Sequence, residues 1–113
     1  MHRTIPMLIN ILKDSTEKER MEWSHPNTVT GRDFDTIMAQ LEDFRFVSIS
    51  ELSFFGYPLA YKIRLFDYNN SCTFRKWRWE VNFDKMVSLY KLAEKQIGDN
   101  NEIDVSEFVE GLK

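Results

Sequence analysis

Side chains that could do acid–base or nucleophilic chemistry are few in this chain and poorly placed for it. His2 stands near the N-terminus, and His25 precedes Pro26 in Ser24-His-Pro-Asn-Thr28, a loop by its composition. A histidine that activates a nucleophile needs that nucleophile within hydrogen-bond reach and a third group to orient it, and neither histidine has an identifiable partner. Asp33 and Asp35 are too close in sequence to share a helix face and read as solvated charges. Cys72 is the only cysteine; a reactive thiol needs a flanking cation, and only Arg75 is near in sequence. A single cysteine excludes an internal disulfide and a zinc site built on thiolates alone, and it points to the reducing cytoplasm. No P-loop, dinucleotide glycine pattern or HExxH motif is present. The expectation is a protein that is not an enzyme and needs no cofactor or metal.

One oxygen-rich stretch calls for comparison with a metal site. Asp99-Asn-Asn-Glu-Ile-Asp-Val-Ser-Glu-Phe108 resembles the second half of an EF-hand calcium loop and the start of its exit helix, with Asn100, Glu102, Asp104 and Glu107 at its fifth, seventh, ninth and twelfth positions. Gln96 and Gly98 then stand where carboxylates are needed, and Asn101 replaces the glycine of the sharp turn. With two ligands missing, the stretch reads as an ordinary turn leading into a short acidic helix.

Recognition without bond-making has better material. Thr73 to Phe83, TFRKWRWEVNF, interleaves three cations with aromatic rings. Together with the preceding strand it would expose Lys62, Arg64, Lys76 and Arg78 beside Phe46, Phe66 and Phe74 on one face. Cations neutralise phosphates and rings stack bases, so this pattern suits single-stranded nucleic acid or another anionic partner. The plainer reading, a solvated face of an antiparallel sheet, is preferred. Phe54-Phe-Gly-Tyr57 is an unusually aromatic turn; Phe54, Phe55 and Tyr57 offer large contact area with few rotatable bonds, as interface anchors do, unless the loop folds back over the core.

Charge is segregated along the chain. Residues 1–44 hold five cations against eight carboxylates, residues 45–83 six against three, and residues 84–113 four against seven. A basic middle lies between acidic flanks, within a net charge of −3.

Elements that would position these residues can be read from periodicity. At 113 residues, 42% hydrophobic, with four glycines and three prolines, the chain has a globular composition and room for one domain. Met7, Leu8, Ile11 and Leu12 have helical spacing, with Pro6 tolerable in the first turn; Ser15 to Trp23 would extend this helix or begin another. Thr30-Gly-Arg-Asp33 resembles a capping box, and Phe34, Ile37, Met38 and Leu41 follow at i, i+3, i+4 and i+7, which predicts a helix from Thr30 to Phe44. Three helices and a strand pair could be drawn as a winged helix, but the acidic Thr30–Phe44 segment opposes DNA readout. Val47 and Ile49 alternate with Phe46, Ser48 and Ser50, a strand; Tyr61, Ile63 and Leu65 define a second, and Thr73 to Phe83 a third.

Parity assigns Trp77, Trp79, Val81 and Phe83 to one side of the third strand, the apolar one. For the tryptophans to meet Tyr61 and Ile63 in the core, the Asp67–Ser71 reversal must have three or five residues or a bulge. A helix capped at Asp84 and stopped at Gly98 would lie on the sheet, followed by a short helix from Ser106 to Leu112 that packs through Phe108, Val109 and Leu112. The predicted fold is α+β: N-terminal helices, a three-stranded antiparallel β-meander, and C-terminal helices packed on one sheet face. No apolar run reaches the roughly 20 residues of a membrane span. The expected function is a small protein–protein interaction module of the inhibitor, immunity or adaptor kind, with Phe54, Phe55 and Tyr57 as contacts; the alternative is a nucleic-acid-binding regulator.

Overall fold

The computed structural model describes residues 4–28, 31–32, 35–41 and 45–112, apart from the side chains of 4, 28, 31–32, 101–106 and 108. His2, Thr30, Asp33 and Phe34 lie outside the described residues, as do the side chains of Glu102, Asp104 and Phe108.

The fold is α+β, with one antiparallel sheet preceded and followed in the chain by a helix. In chain order the elements are α1 (Thr4–Glu17), β1 (Trp23–Ser24), β2 (Asn27–Thr28), β3 (Gly31–Arg32), β4 (Thr36–Gln40), β5 (Phe46–Phe54), β6 (Tyr57–Phe66), β7 (Ser71–Trp77) and α2 (Phe83–Gly111). The sheet has five strands in the order β1-β4-β5-β6-β7, not the expected three, and β2 pairs with β3 separately. No helix of the described residues is long and apolar enough to cross a membrane.

The buried positions of the large sheet follow one parity. Trp23, Ile37, Ala39, Val47, Ile49, Tyr61 and Ile63 are all at most 3% exposed and join Ile9 and Leu12 of α1 and Met86, Leu89, Tyr90 and Ala93 of α2 in one core cluster. The helix α1 turns Ile5, Leu8, Ile9 and Leu12 inward and leaves Met7 and Ile11 exposed, one position round from the expected stripe. Trp23 ties three elements together. Its indole N–H donates to Thr16 Oγ1 (2.8 Å), Thr16 donates to the Leu12 carbonyl (2.7 Å), and the Trp23 backbone N–H donates to Gln96 Oε1 of α2 (2.7 Å). A buried indole that satisfies its one donor adds packing without a desolvation cost.

The helix expected over Thr30–Phe44 is replaced by strands. Ile37 and Ala39 lie opposite Ile49 and Val47, and Trp23 lies opposite Ala39. The inward side of β4 is thus Ile37 and Ala39, with Thr36, Met38 and Gln40 on the other side. Backbone pairing to β5 and β1 satisfies every second donor on each side of β4, and this outweighs a helical spacing that rested on only four apolar residues.

The third strand also departs from expectation. The reversal before it is Asp67–Asn70, four residues, closed by Asp67 N–H to the Asn70 carbonyl (3.0 Å), while Asp67 Oδ1 accepts from the N–H groups of Asn69 (2.8 Å) and Asn70 (2.7 Å). An even loop puts Phe74 opposite Ile63 and Trp77 opposite Ala60. The strand ends at Trp77, so Trp79 and Val81 sit in the following turn, 74% and 78% exposed. The space that the tryptophans were expected to fill beside Tyr61 is taken by Phe83 and Tyr90, with ring centroids 5.5 and 5.2 Å from it. The last helix is continuous through Gly98 to Gly111, so neither a stop at Gly98 nor a turn at 98–101 exists, and Val109 and Leu112 are exposed instead of packed. It begins after Asn82, not Asp84, with Asp84 in its first turn.

The two N–H donors on Asp67 hold its carboxyl below the ordinary carboxylate range, Asn69 contributing most. A depressed folded-state pKa contributes stability that is present above the unfolded value, about 3.9, and is lost as pH falls through the folded value. Urea midpoints of wild type and Asp67→Ala are therefore expected to differ most at neutral pH and to converge as pH falls below about 4. A difference that is constant with pH would show that the carboxylate does not hold this reversal.

Candidate functional site

Registers across the sheet arrange the residues opposite the core face into rows. At one end Phe54 pairs with Tyr57; next come Leu52, Ala60 and Trp77 side by side; then Thr36, Ser50, Lys62 and Arg75; then Met38, Ser48, Arg64 and Thr73; and last Gln40, Phe46, Phe66 and Ser71. A bulge at Leu59 resets the alternation between Ala60 and Tyr57, which returns Phe54 and Tyr57 to the same face as Leu52. The face runs from apolar to cationic to aromatic. Among the described residues Glu51 is the only carboxylate in a strand, and it lies on the core side, so the described strands place no negative charge on this face.

The hairpin tip explains its own exposure. With Phe54 paired to Tyr57, the loop is Phe55-Gly56 alone, and both residues have positive φ, 51° and 82°. That geometry matches the right-handed twist of the flanking strands, and it suits glycine. An aromatic residue there is strained, because the left-handed region crowds Cβ against the backbone. Phe55 is nevertheless 86% exposed and touches Phe54 edge-on, centroids 4.4 Å apart, while Phe54 and Tyr57 are 63% and 65% exposed. The loop does not fold back over the core.

Exposed apolar groups from the β7–α2 turn gather at the same end. Leu59 accepts a backbone hydrogen bond from Arg78 (2.9 Å), which brings the turn against the bulge, and the Arg78 guanidinium carbon lies 6.0 Å from the Tyr57 ring centroid. Trp77 and Trp79 stack, centroids 5.2 Å apart and 11° between planes. An open hollow at Arg78 is lined by Tyr57, Pro58, Phe83 and Val87, with the carboxylates of Glu80 and Asp84 at its wall. Leu52, Trp79 and Val81 thus join the three expected residues; Leu52 had no role in the sequence reading, and Trp79 and Val81 were expected on the core side, since only the correct loop parity moves the tryptophans outward.

The basic residues divide. Lys62 and Arg64 lie on the open face as expected, but Lys76 lies opposite Tyr61 on the core side and Arg78 belongs to the hairpin end. Arg75 takes the place beside Lys62 that was assigned to its neighbour. Like charges directly opposed across two strands are unfavourable unless something neutralises them. Arg64 stacks over Phe66 at 4.6 Å, and Phe66 stacks on Phe46 at 5.3 Å.

On the core side a small group of titratable residues meets. Tyr61 donates to Glu51 Oε2 (2.9 Å), and Ser53 donates to Oε1 (2.7 Å). Burial first, then the Glu51 hydrogen bond and charge, hold the Tyr61 phenol protonated far above its ordinary range. Desolvation, then the Glu51 charge, raises the Glu94 carboxyl, with His25 and Lys91 pulling it down. The His25 Nδ1–H donates to the Thr36 carbonyl (2.9 Å). His25 lines neither the hollow at Arg78 nor the one flanked by Met21, Met38 and Leu41. Cys72 is exposed on β7 opposite Leu65. Among the described residues no group of three or more His, Cys, Asp or Glu is placed to hold a metal ion.

No family model, characterised protein or solved structure matches this chain.

Proposed function

We propose that the chain is a non-enzymatic interaction domain, of the inhibitor, immunity or adaptor kind, acting in the cytoplasm on a protein partner through its β5–β6 hairpin end. The observation that carries this reading is Phe55. It is a strained, almost fully exposed aromatic at a turn where asparagine or glycine would be more stable, next to the exposed rings of Phe54 and Tyr57. Strain of this kind persists where something other than stability rewards it, and clustered exposed aromatics mark interfaces more often than solvent. The direct test is capture of partners from the native host by wild type and by Phe54→Ala/Phe55→Ala/Tyr57→Ala, followed by titration of whatever wild type alone retains. Equal capture by both would remove the reading.

A second reading has one observation in its favour: among the described residues, the strand positions on the open face carry Lys62, Arg64, Arg75 and five aromatic residues but no carboxylate. Single-stranded nucleic acid would meet cations for its phosphates and rings for its bases. Three phosphate contacts imply a slope of about −2 in log K against log salt for a single strand. Retention on a labelled oligothymidine with that slope, lost in Lys62→Glu/Arg64→Glu/Arg75→Glu, is the expected outcome of this reading; no retention at low salt would dismiss it.

A further inference from the structure

The two edges of the sheet are treated differently. At β1 the Gln96 carboxamide covers the edge, accepting from Trp23 N–H (2.7 Å) and donating to the Met21 carbonyl (2.7 Å). At β7 the hairpin bonds fix which groups face inward. Asp67 N–H bonds the Asn70 carbonyl at one end and Arg78 N–H bonds the Leu59 carbonyl at the other. Hydrogen-bonded pairs alternate between these limits, so Cys72, Phe74 and Lys76 exchange bonds with β6, while Ser71, Thr73, Arg75 and Trp77 turn their N–H and C=O outward. Trp77 is capped on both counts by Glu80, whose Oε2 accepts its N–H (2.6 Å) and whose N–H donates to its carbonyl (2.9 Å). Ser71, Thr73 and Arg75 have no such cover: none of the hydrogen bonds among the described residues reaches their main-chain groups across that edge.

We infer that this edge accepts an extended, acidic segment of the protein partner, which adds a sixth strand beside β7; the inference rests on the protein-partner reading above. Main-chain groups at alternate residues supply the ladder, as in other strand additions. Charge selects the guest. Arg75 on one side of β7 and Lys76 on the other, with Lys62 directly behind Arg75, repel a second copy of the same strand and attract a segment bearing carboxylates at alternate positions. The edge is thereby closed to self-association and open to an acidic chain.

The test uses the full chain and the peptide Ac-Thr-Glu-Val-Glu-Val-Glu-Thr-NH2, followed by amide exchange and chemical shifts. The expected result is slowed exchange at Thr73 and Arg75, with Cys72, Phe74 and Lys76 little changed because β6 already protects them. Thr73→Pro removes an outward N–H without removing a bond to β6, and it is expected to weaken the peptide at least about tenfold, as loss of edge donors should. Arg75→Glu/Lys76→Glu is expected to weaken it about threefold to tenfold, the range for replacing one exposed attractive pair by a repulsive one, since alternate carboxylates meet only one of the two cations. Should Thr73→Pro not fold, a peptide N-methylated on its central valine tests the same ladder and is expected not to bind. Undiminished binding by Thr73→Pro or by the N-methylated peptide would overturn the inference, as would equal protection by oligothymidine, which would show a response to charge alone. The two proposals fail separately: a native partner lost on changing the hairpin tip but retained by Thr73→Pro leaves the interaction domain standing without strand addition.

Discussion

Replacing Trp23 with alanine is expected to cost about 3–5 kcal/mol, the range for deleting a large buried aromatic. Trp79→Ala should cost no more than about 1.5 kcal/mol, the value of its one stacking partner. Trp23 is 2% exposed and fills the junction of α1, β1 and α2, whereas Trp79 is 74% exposed and stacks on Trp77. Losing the indole also leaves Thr16 Oγ1 without the donor it accepts from. Against a net stability of about 5–15 kcal/mol for a domain of this size, the first substitution brings the chain near unfolding and the second does not. Urea midpoints at constant denaturant slope measure both, and acrylamide quenching of the wild type supplies an independent check, since Trp23 should be shielded and Trp79 open. A larger loss from Trp79→Ala than from Trp23→Ala would mean that the core lies on the other side of β7.

Periodicity alone assigns Trp77 and Trp79 to the core, and the reason it misleads is instructive. In a strand, side chains alternate reliably, but which parity meets the core depends on the length of a single reversal, and Trp79 falls beyond the end of β7 at Trp77. Asp67, by accepting two backbone N–H groups, settles that length at four residues, and one polar side chain thereby sends two indoles outward. Strands with strong alternation, β5 around Val47 and Ile49 and β6 around Tyr61 and Ile63, were legible because both periods of evidence, burial and pairing, agree there. At β4 they conflict. Phe34, Ile37, Met38 and Leu41 satisfy a helical spacing, and only the partners on either side, Trp23 and Ile49, reveal that Ile37 and Ala39 belong to a ladder. Gly98 looked like a helix stop, yet a glycine inside a helix costs only about 1 kcal/mol, less than the bonding of the residues beyond it returns. For the candidate site, Phe54, Phe55 and Tyr57 could be found because Gly56 between them marks the turn. Leu52, Trp79 and Val81 could not, since their exposure depends on the bulge at Leu59 and on where β7 ends.

The hairpin tip is where stability and binding are expected to move in opposite directions. Phe55→Asn converts the loop to Asn-Gly, the pair that two left-handed positions favour, and it should raise stability by about 1 kcal/mol by relieving the strain on an aromatic at φ 51°. Phe54→Ala/Phe55→Ala/Tyr57→Ala should stay within roughly 0.5 kcal/mol of wild type per position, because all three rings face water. Binding should behave otherwise. Aromatic anchors at an interface commonly contribute about 2 kcal/mol or more each when truncated, so the triple variant is expected to lose at least about a hundredfold in affinity, and Phe55→Asn alone about tenfold or more. Chemical denaturation and titration calorimetry on the same preparations separate the two quantities. A merely structural tip would show the reverse sign on the first axis: if Phe55→Asn destabilises the domain, the phenylalanine is packing against something it needs, and the strain has a purpose internal to the fold. If Phe55→Asn stabilises and the partner is held as tightly as before, the exposed rings are tolerated and not used, and the site must be sought among Lys62, Arg64 and Arg75.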